Sequence, residues 1–548
     1  MFFKKLTISF LLLGVAFTGC AQDSLTTSQS NLLFRNYQFV RQTDKWLTGS
    51  NASALTHYKA DNIAEAELSS TISKGRLGTF GSPSDILQVS AGIESFYRIS
   101  QRAVLFGSIR YDNWSGRDMA GSVFLQERLP FDIIEETEDN TGRKHRDSYQ
   151  LAGGVGVELW QGYSVGARLD YTAANYAKYK DLRHGNKLMD LRLSIGATAS
   201  VLSWLTLGAN YLYHRTTESV TFSVNGRSDR VFKSIIAYGA FMGRSEQFGN
   251  SGYTDSSREM PLVEDQNGGS IQMEVLPFQH TSGWLKPLSI YADATLLHGK
   301  GYYGRKSPYT ITYTNHQRDI TSFSCRLAYK LPQTHHFLDI SYADEKLKNY
   351  AENYRELTND HGSHYYQYSD PTETADKRWH NLHADYTLHL GIRGEQPTWT
   401  IMAGYHWQQR KQTAYLYPYY RYQKLDTNEI VASISRSFFT RSGLWTATLN
   451  GAYQKGTGSP YIDGTYTTPS SRQSAPASME HYLYQEYHLL TSPQYTLGAE
   501  GRYAFPFPST RLLTHIRLNI QYRRATTLAA DYCGRSLTSA SIALGCTF

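Results

Sequence analysis

Alternation of apolar and polar residues, repeated in segments that pair across short turns, constrains this chain more than any other feature. In residues 495–505 the odd positions carry Tyr, Leu, Ala, Gly and Phe, and the even positions include Glu and Arg. Residues 512–522 have mainly Leu, Ile and Tyr at even positions and polar residues at most odd ones. A period of two residues is typical of a β-strand whose two faces meet different environments. The two segments therefore predict an antiparallel hairpin.

The same unit recurs along the chain and predicts an all-β fold. The other predicted hairpins pair residues 86–97 with 103–111, 149–160 with 163–171, 189–201 with 205–214, 322–331 with 336–347, 381–392 with 398–407, and 430–439 with 444–453. Long polar stretches separate the hairpins, at residues 115–147, 214–268, 345–375 and 454–490. Short turns, long loops and aromatic residues at strand ends are together typical of outer-membrane barrels. We predict one transmembrane antiparallel β-barrel over residues 62–548, with about 18 strands, or about 16 as the alternative.

The end of the sequence, SLTSASIALGCTF, is itself a two-faced strand. Ile542, Leu544 and Phe548 lie on one face. This ending resembles the C-terminal recognition signal of bacterial outer-membrane barrels, and the resemblance implies insertion by the barrel-assembly machinery. Because an unpaired strand edge cannot face lipid, the last strand must close against the first. Residues 62–73 are the predicted first strand, with Glu65 and Glu67 inward.

The first residues have the pattern of a secretory signal peptide. A basic pair at residues 4–5 precedes an apolar core at residues 6–18, which is too short for a membrane anchor. Cleavage after Ala21 is the prediction, and lipidation of Cys20 is the alternative. Export of a barrel predicts the outer membrane of a Gram-negative cell, with its lipid as the surroundings. The predicted divisions are a signal peptide at 1–21, a periplasmic or plug segment at 22–61, and the barrel at 62–548.

Charge and motifs exclude several classes of function. The net charge of +7 is spread along 548 residues without a basic block, so we predict no contact with nucleic acid. The sequence lacks the G-x-S-x-G, H-E-x-x-H, Walker and dinucleotide-binding motifs, and we predict neither an enzyme nor a cofactor. Cys325, Cys533 and Cys546 are far apart and form no disulfide framework or metal-site spacing.

Ionisable residues in the middle of the predicted strands lie opposite the aliphatic face. We predict that they line the barrel lumen, where charged side chains select among solutes. The alternative is a network of paired charges that closes the lumen, and the sequence leaves both open. The predicted lumen residues are Arg168, Asp170, Asp190, Arg192, His383, Asp385, His389, Glu500, Arg502 and Arg517.

A row of histidine and aspartate residues raises the question of a metal. His383, Asp385 and His389 share one strand face, and His406 lies on the partner strand. Imidazole and carboxylate groups at this spacing are metal ligands. Such a row is more often simply a polar lining of the lumen, and we predict no metal site.

Tyrosine is unusually frequent, at 42 residues, and several tyrosines lie close together. They are candidates for an aromatic platform that binds a sugar or another flat ligand. The alternative is that strands extend above the membrane and pack through their own tyrosines, and residues 365–370 and 480–490 have the same two interpretations. The candidate residues are Tyr415, Tyr417, Tyr419, Tyr420 and Tyr422.

As a whole, the chain resembles a family of uncharacterised, tyrosine-rich Gram-negative outer-membrane β-barrels that are often found with TonB-dependent receptor systems. The resemblance rests on the signal peptide, residues 31–40 (NLLFRNYQFV), the hairpin pattern and the terminal Phe. It implies an accessory role in nutrient uptake beside a TonB-dependent receptor. Residues 49–55 (GSNASAL) also resemble the hatch motif of long-chain fatty acid transporters at Asn51, Ala54 and Leu55, with Ala52 where Pro is expected.

These features predict a barrel for the passive passage or capture of a small solute. One alternative is a hydrophobic-ligand transporter or secretion-associated barrel with an N-terminal hatch. Another is a plugged structural or adhesive surface protein. An open lumen favours the first, an apolar pocket at a lateral opening the second, and a filled lumen the third.

Overall fold

The computed structural model describes residues 35–60, 62–136, 140–226, 229–249, 252–281, 283–440, 442–507, 510, 512–526 and 534–548. The predicted signal peptide, Cys20 and Cys533 lie outside the described residues.

Eighteen antiparallel strands form a closed barrel, which confirms the predicted fold and the larger of the two predicted strand numbers. Each strand pairs with its neighbours in the chain. The barrel strands are β1 Ile63–Arg76, β2 Asp85–Arg98, β3 Ala103–Met119, β4 Gly142–Trp160, β5 Tyr163–Lys178, β6 Arg183–Leu202, β7 Leu205–Ser223, β8 Met260–Val275, β9 Leu288–Ser307, β10 Thr310–Leu331, β11 Thr334–Thr358, β12 His364–Leu390, β13 Trp399–Leu416, β14 Tyr419–Phe439, β15 Leu444–Gly458, β16 Gln494–Pro506, β17 Leu513–Ala525 and β18 Ser536–Thr547.

The first and last strands close the barrel as predicted. Ser69 of β1 lies opposite Ala543 of β18. The backbone groups of Ala64 and Phe548 exchange two hydrogen bonds, at 2.8 and 3.0 Å. The closing seam therefore leaves no unpaired edge toward lipid.

The predicted alternation sets the two faces of the wall. Leu169, Ile271, Leu449 and Leu518 point outward and are between 46 and 67% exposed. A band of exposed apolar side chains around a closed barrel is the surface that meets the hydrocarbon of a bilayer. The residues that alternate with the outward ones along each strand point into the lumen. Glu67 and Arg517, for example, form an ion pair there.

The connections at the two ends of the barrel differ in length. At one end, the short-turn end, they include the turns 161–162 and 332–333, and the longest is 276–287. The other end holds the longest connections of the barrel, residues 120–141, 224–259 and 459–493, together with short turns at 308–309 and 417–418. The predicted long loop at residues 345–375 is wrong, because β11 and β12 continue through it to a turn at residues 359–363. Beyond the apolar band both faces of a strand are polar, so the extension carries no alternating signal.

An N-terminal segment (residues 35–58) lies inside the barrel at the end with the short turns. It contains α1 Tyr37–Thr43, α2 Lys45–Thr48 and a 3₁₀ helix, Ala52–His57. Asn36, Asp44 and Asn51 precede these helices, and their side chains accept hydrogen bonds from the first turns. Such N-caps stabilise helices that are too short to persist alone.

A loop cap (residues 120–136, 229–249 and 477–491) fills the other end of the lumen. Its four-stranded sheet consists of Asp132–Glu135, Lys233–Gly239, Met242–Gln247 and Ala477–Ser478, and it continues into α3 Glu480–Thr491. Phe131, Ile133 and Ile236 of the cap are fully buried against Tyr303 of β9. α3 occupies residues that the sequence analysis placed in a loop or strand extension. Within the described residues, the helices are too short or too polar to cross a membrane.

Candidate functional site in the barrel lumen

The N-terminal segment fits the lumen because the wall has glycine at the positions where the two come closest. A Cβ atom added to Gly166 would lie 2.3 Å from the backbone nitrogen of Ser53. One added to Gly196 would lie 2.4 Å from Oδ1 of Asn51, and one on Gly156 would lie 2.6 Å from the carbonyl oxygen of Ala52. No real Cβ makes such contacts, so any larger side chain at these positions displaces the segment or the wall.

Asn51 is a buried polar residue of the segment that is hydrogen-bonded to the wall. Its side-chain Nδ2 donates to Oε1 of Gln272 at 3.0 Å and to the carbonyl oxygen of Ala197 at 3.1 Å. Its Oδ1 accepts from the backbone nitrogen of Ser53 at 3.2 Å. Asn51 and Leu55, which carry the hatch resemblance, are both buried in this position.

Three cations attach the rest of the segment to the wall. Arg35 lies 2.9 Å from Glu395, Arg41 3.3 Å from Glu94, and Lys45 2.9 Å from Asp339. All six side chains are partly exposed, so each pair contributes little to stability. The segment also packs on the wall through buried apolar and aromatic side chains, with Tyr37 stacked on Phe96 and Trp46 edge-on to Tyr291.

The loop cap is also held through charged groups of the wall. Glu218 accepts hydrogen bonds from the backbone nitrogens of Leu125 at 2.8 Å and Gln126 at 3.1 Å. Lys377 donates to the carbonyl oxygen of Leu129 at 2.9 Å, and Lys144 donates to that of Ser122 at 2.8 Å. Two carboxylate bonds and two ammonium bonds thus satisfy backbone groups of residues 120–136 that would otherwise be buried without partners.

Asp132 of the loop cap should make the stability of the folded protein depend on pH. Burial raises the pKa of Asp132 to about 6, although Ser122 and the backbone nitrogen of Ile133 donate hydrogen bonds to it. An unfolded Asp has a pKa of about 3.9, so the folded protein binds the proton more tightly. The stability that this group contributes is therefore fully present below about pH 4 and is lost as the pH rises through about 6.

We expect the difference in melting temperature between wild type and Asp132→Asn to change between about pH 4 and pH 7 and to become constant above that. The substitution removes the carboxyl group that titrates and keeps the shape of the side chain. Taking the difference between the two melting temperatures removes the contributions of the other titrating groups. A difference that does not vary with pH would contradict the raised pKa.

The structure places all the predicted charged lumen residues on the inner face, and most are paired. Arg168 donates two hydrogen bonds of 2.8 Å to Asp170. Asp190 lies 2.8 Å from His214 and 3.3 Å from Arg192. These pairs fit the predicted alternative of a paired network.

A second group of paired charges crosses the closing seam. Glu500 lies 3.7 Å from Arg517, which also contacts Glu67. Arg502 lies 3.5 Å from Glu65. The charges of β16 and β17 therefore meet those of β1 inside the barrel.

The predicted histidine row divides into two environments. His383, Asp385 and His406 lie together in the lumen. His389 is buried at the other end of the same face, where Phe39 of the N-terminal segment packs edge-on to it at 5.1 Å. The row is therefore not one continuous site.

Four of the five candidate tyrosines lie on two strand extensions, and Tyr417 lies in the turn between them. β13 ends at Leu416 and β14 begins at Tyr419, with only residues 417–418 between them. Tyr420 and Tyr415 pack toward Tyr466, at ring distances of 5.0 and 6.4 Å. The hydroxyl of Tyr419 instead donates to the carbonyl oxygen of Gln473. Tyr417 is largely exposed and Tyr422 is partly buried.

Sequence reasoning missed the wall residues that hold the loop cap. Glu345 binds Arg128 of the cap at 2.7 Å and also Arg318, which reaches Glu264 at 3.3 Å. Glu218 lies in the stretch 214–268 that was predicted as a loop, and Glu345 lies where the predicted strand 336–347 meets the predicted loop 345–375. Residues 264–267 are all polar, so no alternating signal marks the strand there.

The strands that contact the N-terminal segment on their inner face form an apolar groove of about 710 Å³ on their outer face. Trp160, Leu207 and Ile271 are among its lining residues. The strand pairing is continuous across the groove, as Val165 opposite Ala197 and Ala197 opposite Ala209 show. The described wall therefore has no lateral opening at this groove.

Comparison with known proteins identifies a family but no activity. One family model matches residues 52–548. The chain belongs to the family of unknown function DUF6850. None of the curated proteins matches the chain significantly.

Several solved structures resemble this member of DUF6850 distantly. The ferric preacinetobactin receptor BauA from Acinetobacter baumannii is 8% identical, with 89% of this chain and 80% of that chain covered and a TM-score of 0.41. The outer membrane transporter YddB from Escherichia coli is 9% identical, with 89% and 81% covered and a TM-score of 0.41. The RagAB peptide transporter is 7% identical, with 88% and 86% covered and a TM-score of 0.40. The fold assignment rests on the strand pairing described above.

Proposed function

We propose that this protein is a gated outer-membrane barrel that passes or captures a small solute, with the N-terminal segment as the gate at the short-turn end. In outer-membrane barrels that end faces the periplasm. The observation that carries the proposal is a barrel of eighteen strands whose lumen holds a separate segment that supplies no strand to the wall. Such a segment can leave without breaking the strand pairing of the wall.

The lining of the lumen supports a polar solute. Inward side chains such as Arg168, Asp190, Asp385 and Glu500 are charged along its length. An apolar ligand would displace water from these groups without replacing its hydrogen bonds, at a cost in free energy. The accessory role beside a TonB-dependent receptor and insertion by the barrel-assembly machinery, which the sequence resemblances imply, belong to this proposal.

Two alternatives differ from the proposal in what the wall and lumen do. A hydrophobic-ligand transporter would use the apolar groove, but the strand pairing is continuous there. A structural or adhesive surface protein would keep both the N-terminal segment and the loop cap in place permanently. The second alternative is tested by the experiment below.

The test is the ion conductance of the purified full chain in a planar bilayer. We expect wild type to be closed nearly all the time. The triple variant Arg35→Ala, Arg41→Ala, Lys45→Ala loses the three ion pairs of the N-terminal segment and should open in steps more often than wild type. Folding is checked by the heat-dependent mobility of the barrel on a gel.

A disulfide then shows whether the N-terminal segment is what moves. The hydroxyl oxygens of Thr56 and Ser164 are 2.9 Å apart, so Thr56→Cys with Ser164→Cys attaches the segment to β5. The matched control, Ser73→Cys with Ser539→Cys, has an oxygen distance of 2.7 Å and joins only β1 to β18. In the triple variant, with the native cysteines replaced by alanine, the first disulfide should close the channel until it is reduced, and the second should not.

Two outcomes would contradict the proposal. A triple variant that stays closed while a cysteine at position 56 reacts freely with a maleimide would mean that the loop cap closes the lumen by itself. The plugged surface protein would then be the better function. Equal silencing by both disulfides would mean that the wall, not the segment, controls the conductance.

A further inference from the structure

Three neighbouring strands bring histidine and carboxylate groups to one level of the lumen. His383 of β12 lies directly opposite His406 of β13, and His406 lies directly opposite Glu429 of β14. Asp385 follows on the same face of β12, two residues after His383. Because directly opposite residues have neighbouring Cβ atoms, the backbone register alone makes this a compact group.

The donor atoms are close enough to share one ion. One ligand atom each from His383, Asp385 and His406 lies within 4.8 Å of the other two. Nε2 of His406 is 3.0 Å from Oδ1 of Asp385, and the two imidazole rings are 4.4 Å apart between centroids. Rotations of these side chains suffice to bring three ligands onto a tetrahedral ion, whose bonds are about 2.0–2.2 Å long.

Glu429 holds His406 in the orientation that a metal ligand needs. Its Oε2 lies 3.4 Å from Nδ1 of His406, on the side of the ring away from Asp385. A ring whose Nδ1 proton points at a carboxylate has its Nε2 lone pair free for a metal. Carboxylate, imidazole and metal in this order are the usual arrangement at zinc sites.

Gly404 leaves the space that Asp385 occupies. Asp385 pairs with Gly404 across the strands, and a Cβ added to Gly404 would lie 2.1 Å from Oδ1 of Asp385. The carboxylate therefore lies over the glycine and reaches sideways to His406. A polar lining needs no such clearance, whereas a ligand set that converges on one point does.

We propose that His383, Asp385 and His406 bind one zinc-like divalent cation in the lumen, with Glu429 as the positioning residue for His406. Two imidazoles and one carboxylate favour zinc and its neighbours among the transition metals over magnesium or calcium, which prefer oxygen ligands. His383 is exposed to the lumen, so water can take the fourth position. The sequence analysis predicted no metal here. The inference does not rest on the proposed gate, because binding needs no passage of solute.

The experiment is zinc binding by the full-length protein, purified without a polyhistidine tag and followed by titration calorimetry. We expect one ion per chain. His406→Ala and Asp385→Asn should each weaken binding at least about tenfold, and Glu429→Gln should weaken it roughly 10-fold or more because His406 loses the carboxylate that orients its ring. His298→Ala is the matched control, because His298 is also paired with a carboxylate, Asp319 at 2.6 Å. It should leave the affinity unchanged.

Cobalt provides a measurement that needs no variant. Co²⁺ bound by the wild-type protein should give the intense visible bands of a four-coordinate ion, and an equal amount of Zn²⁺ should remove them. No zinc binding by wild type, weak octahedral cobalt bands, or an equal loss in His298→Ala and His406→Ala would each overturn the proposal. Heat-dependent mobility on a gel shows whether each variant forms the barrel.

Discussion

Replacing Gly166 by valine is expected to expel the N-terminal segment from the lumen while the barrel still forms. The new Cβ would lie 2.3 Å from the backbone nitrogen of Ser53, and a backbone atom cannot turn aside as a long side chain can. Overpacking of this kind typically costs about 1–3 kcal/mol and occasionally more. At the upper end of that range, the population with the segment inserted falls roughly a hundredfold.

The measurement is the rate at which a maleimide reacts with a cysteine at position 56, together with conductance in a planar bilayer. Both should rise in Gly166→Val. Gly153→Val is the matched control, because Gly153 lies on the neighbouring strand and a Cβ there meets nothing within 4 Å. The expectation would be wrong if both variants reacted as slowly as wild type.

The reaction of the cysteine reports whether the N-terminal segment leaves the lumen, and the conductance reports whether the lumen is then open. A reactive cysteine without conductance in Gly166→Val would mean that the loop cap remains closed, and the lumen would then need a signal at each end. Conductance that appears with reactivity would mean that the N-terminal segment is the main barrier. With either result, the close contact at Gly166 would still explain why the segment fits the lumen.

Replacing Leu518 by arginine is expected to destabilise the folded barrel by about 2–4 kcal/mol, because the charge lies near the middle of the lipid-facing band. Leu518 is 57% exposed on the outer face and lies opposite Ile542 across the strands. The arginine cannot reach water without distorting the bilayer or the side chain. The measurement is the free energy of unfolding in lipid vesicles by denaturant.

The neighbouring change, Arg517→Leu, should cost much less. Arg517 faces the lumen, where it pairs with Glu67 and lies 3.7 Å from Glu500. Its loss leaves two partly exposed carboxylates that water can reach, and such exposed pairs contribute roughly 0–1 kcal/mol. Equal losses in the two variants would mean that the inner and outer faces of β17 are assigned wrongly.

The faces of the strands could be predicted because they depend only on neighbouring residues in the chain. The pleat of a strand sends successive side chains to opposite sides, so one polar environment and one apolar environment appear as a period of two. Leu518 and Arg517 were assigned correctly on this basis alone. The closing strand was predictable for the same reason, together with the requirement that no edge meet lipid.

The extent of strands beyond the membrane was not predictable in this way. β11 and β12 continue through residues 345–375, which look like a loop because both faces there meet water or polar groups. The tyrosines at 415, 419, 420 and 422 likewise lie on strand extensions. Hydrogen bonds between neighbouring strands decide the structure at these positions. The sequence shows no period of two there, because neither face of the strand is apolar.

The sequence by itself determined the class of fold, the inner and outer faces, and the closure of β1 on β18. The tertiary structure decided what fills the lumen and which charged groups meet. Gly166 and Ser53 are far apart in the chain, and their fit depends on the shape of the closed wall. His383 joins His406 while His389 lies under Phe39, because strand register and the position of the N-terminal segment separate residues on the same face. Such contacts follow from packing between distant segments, which a local pattern does not encode.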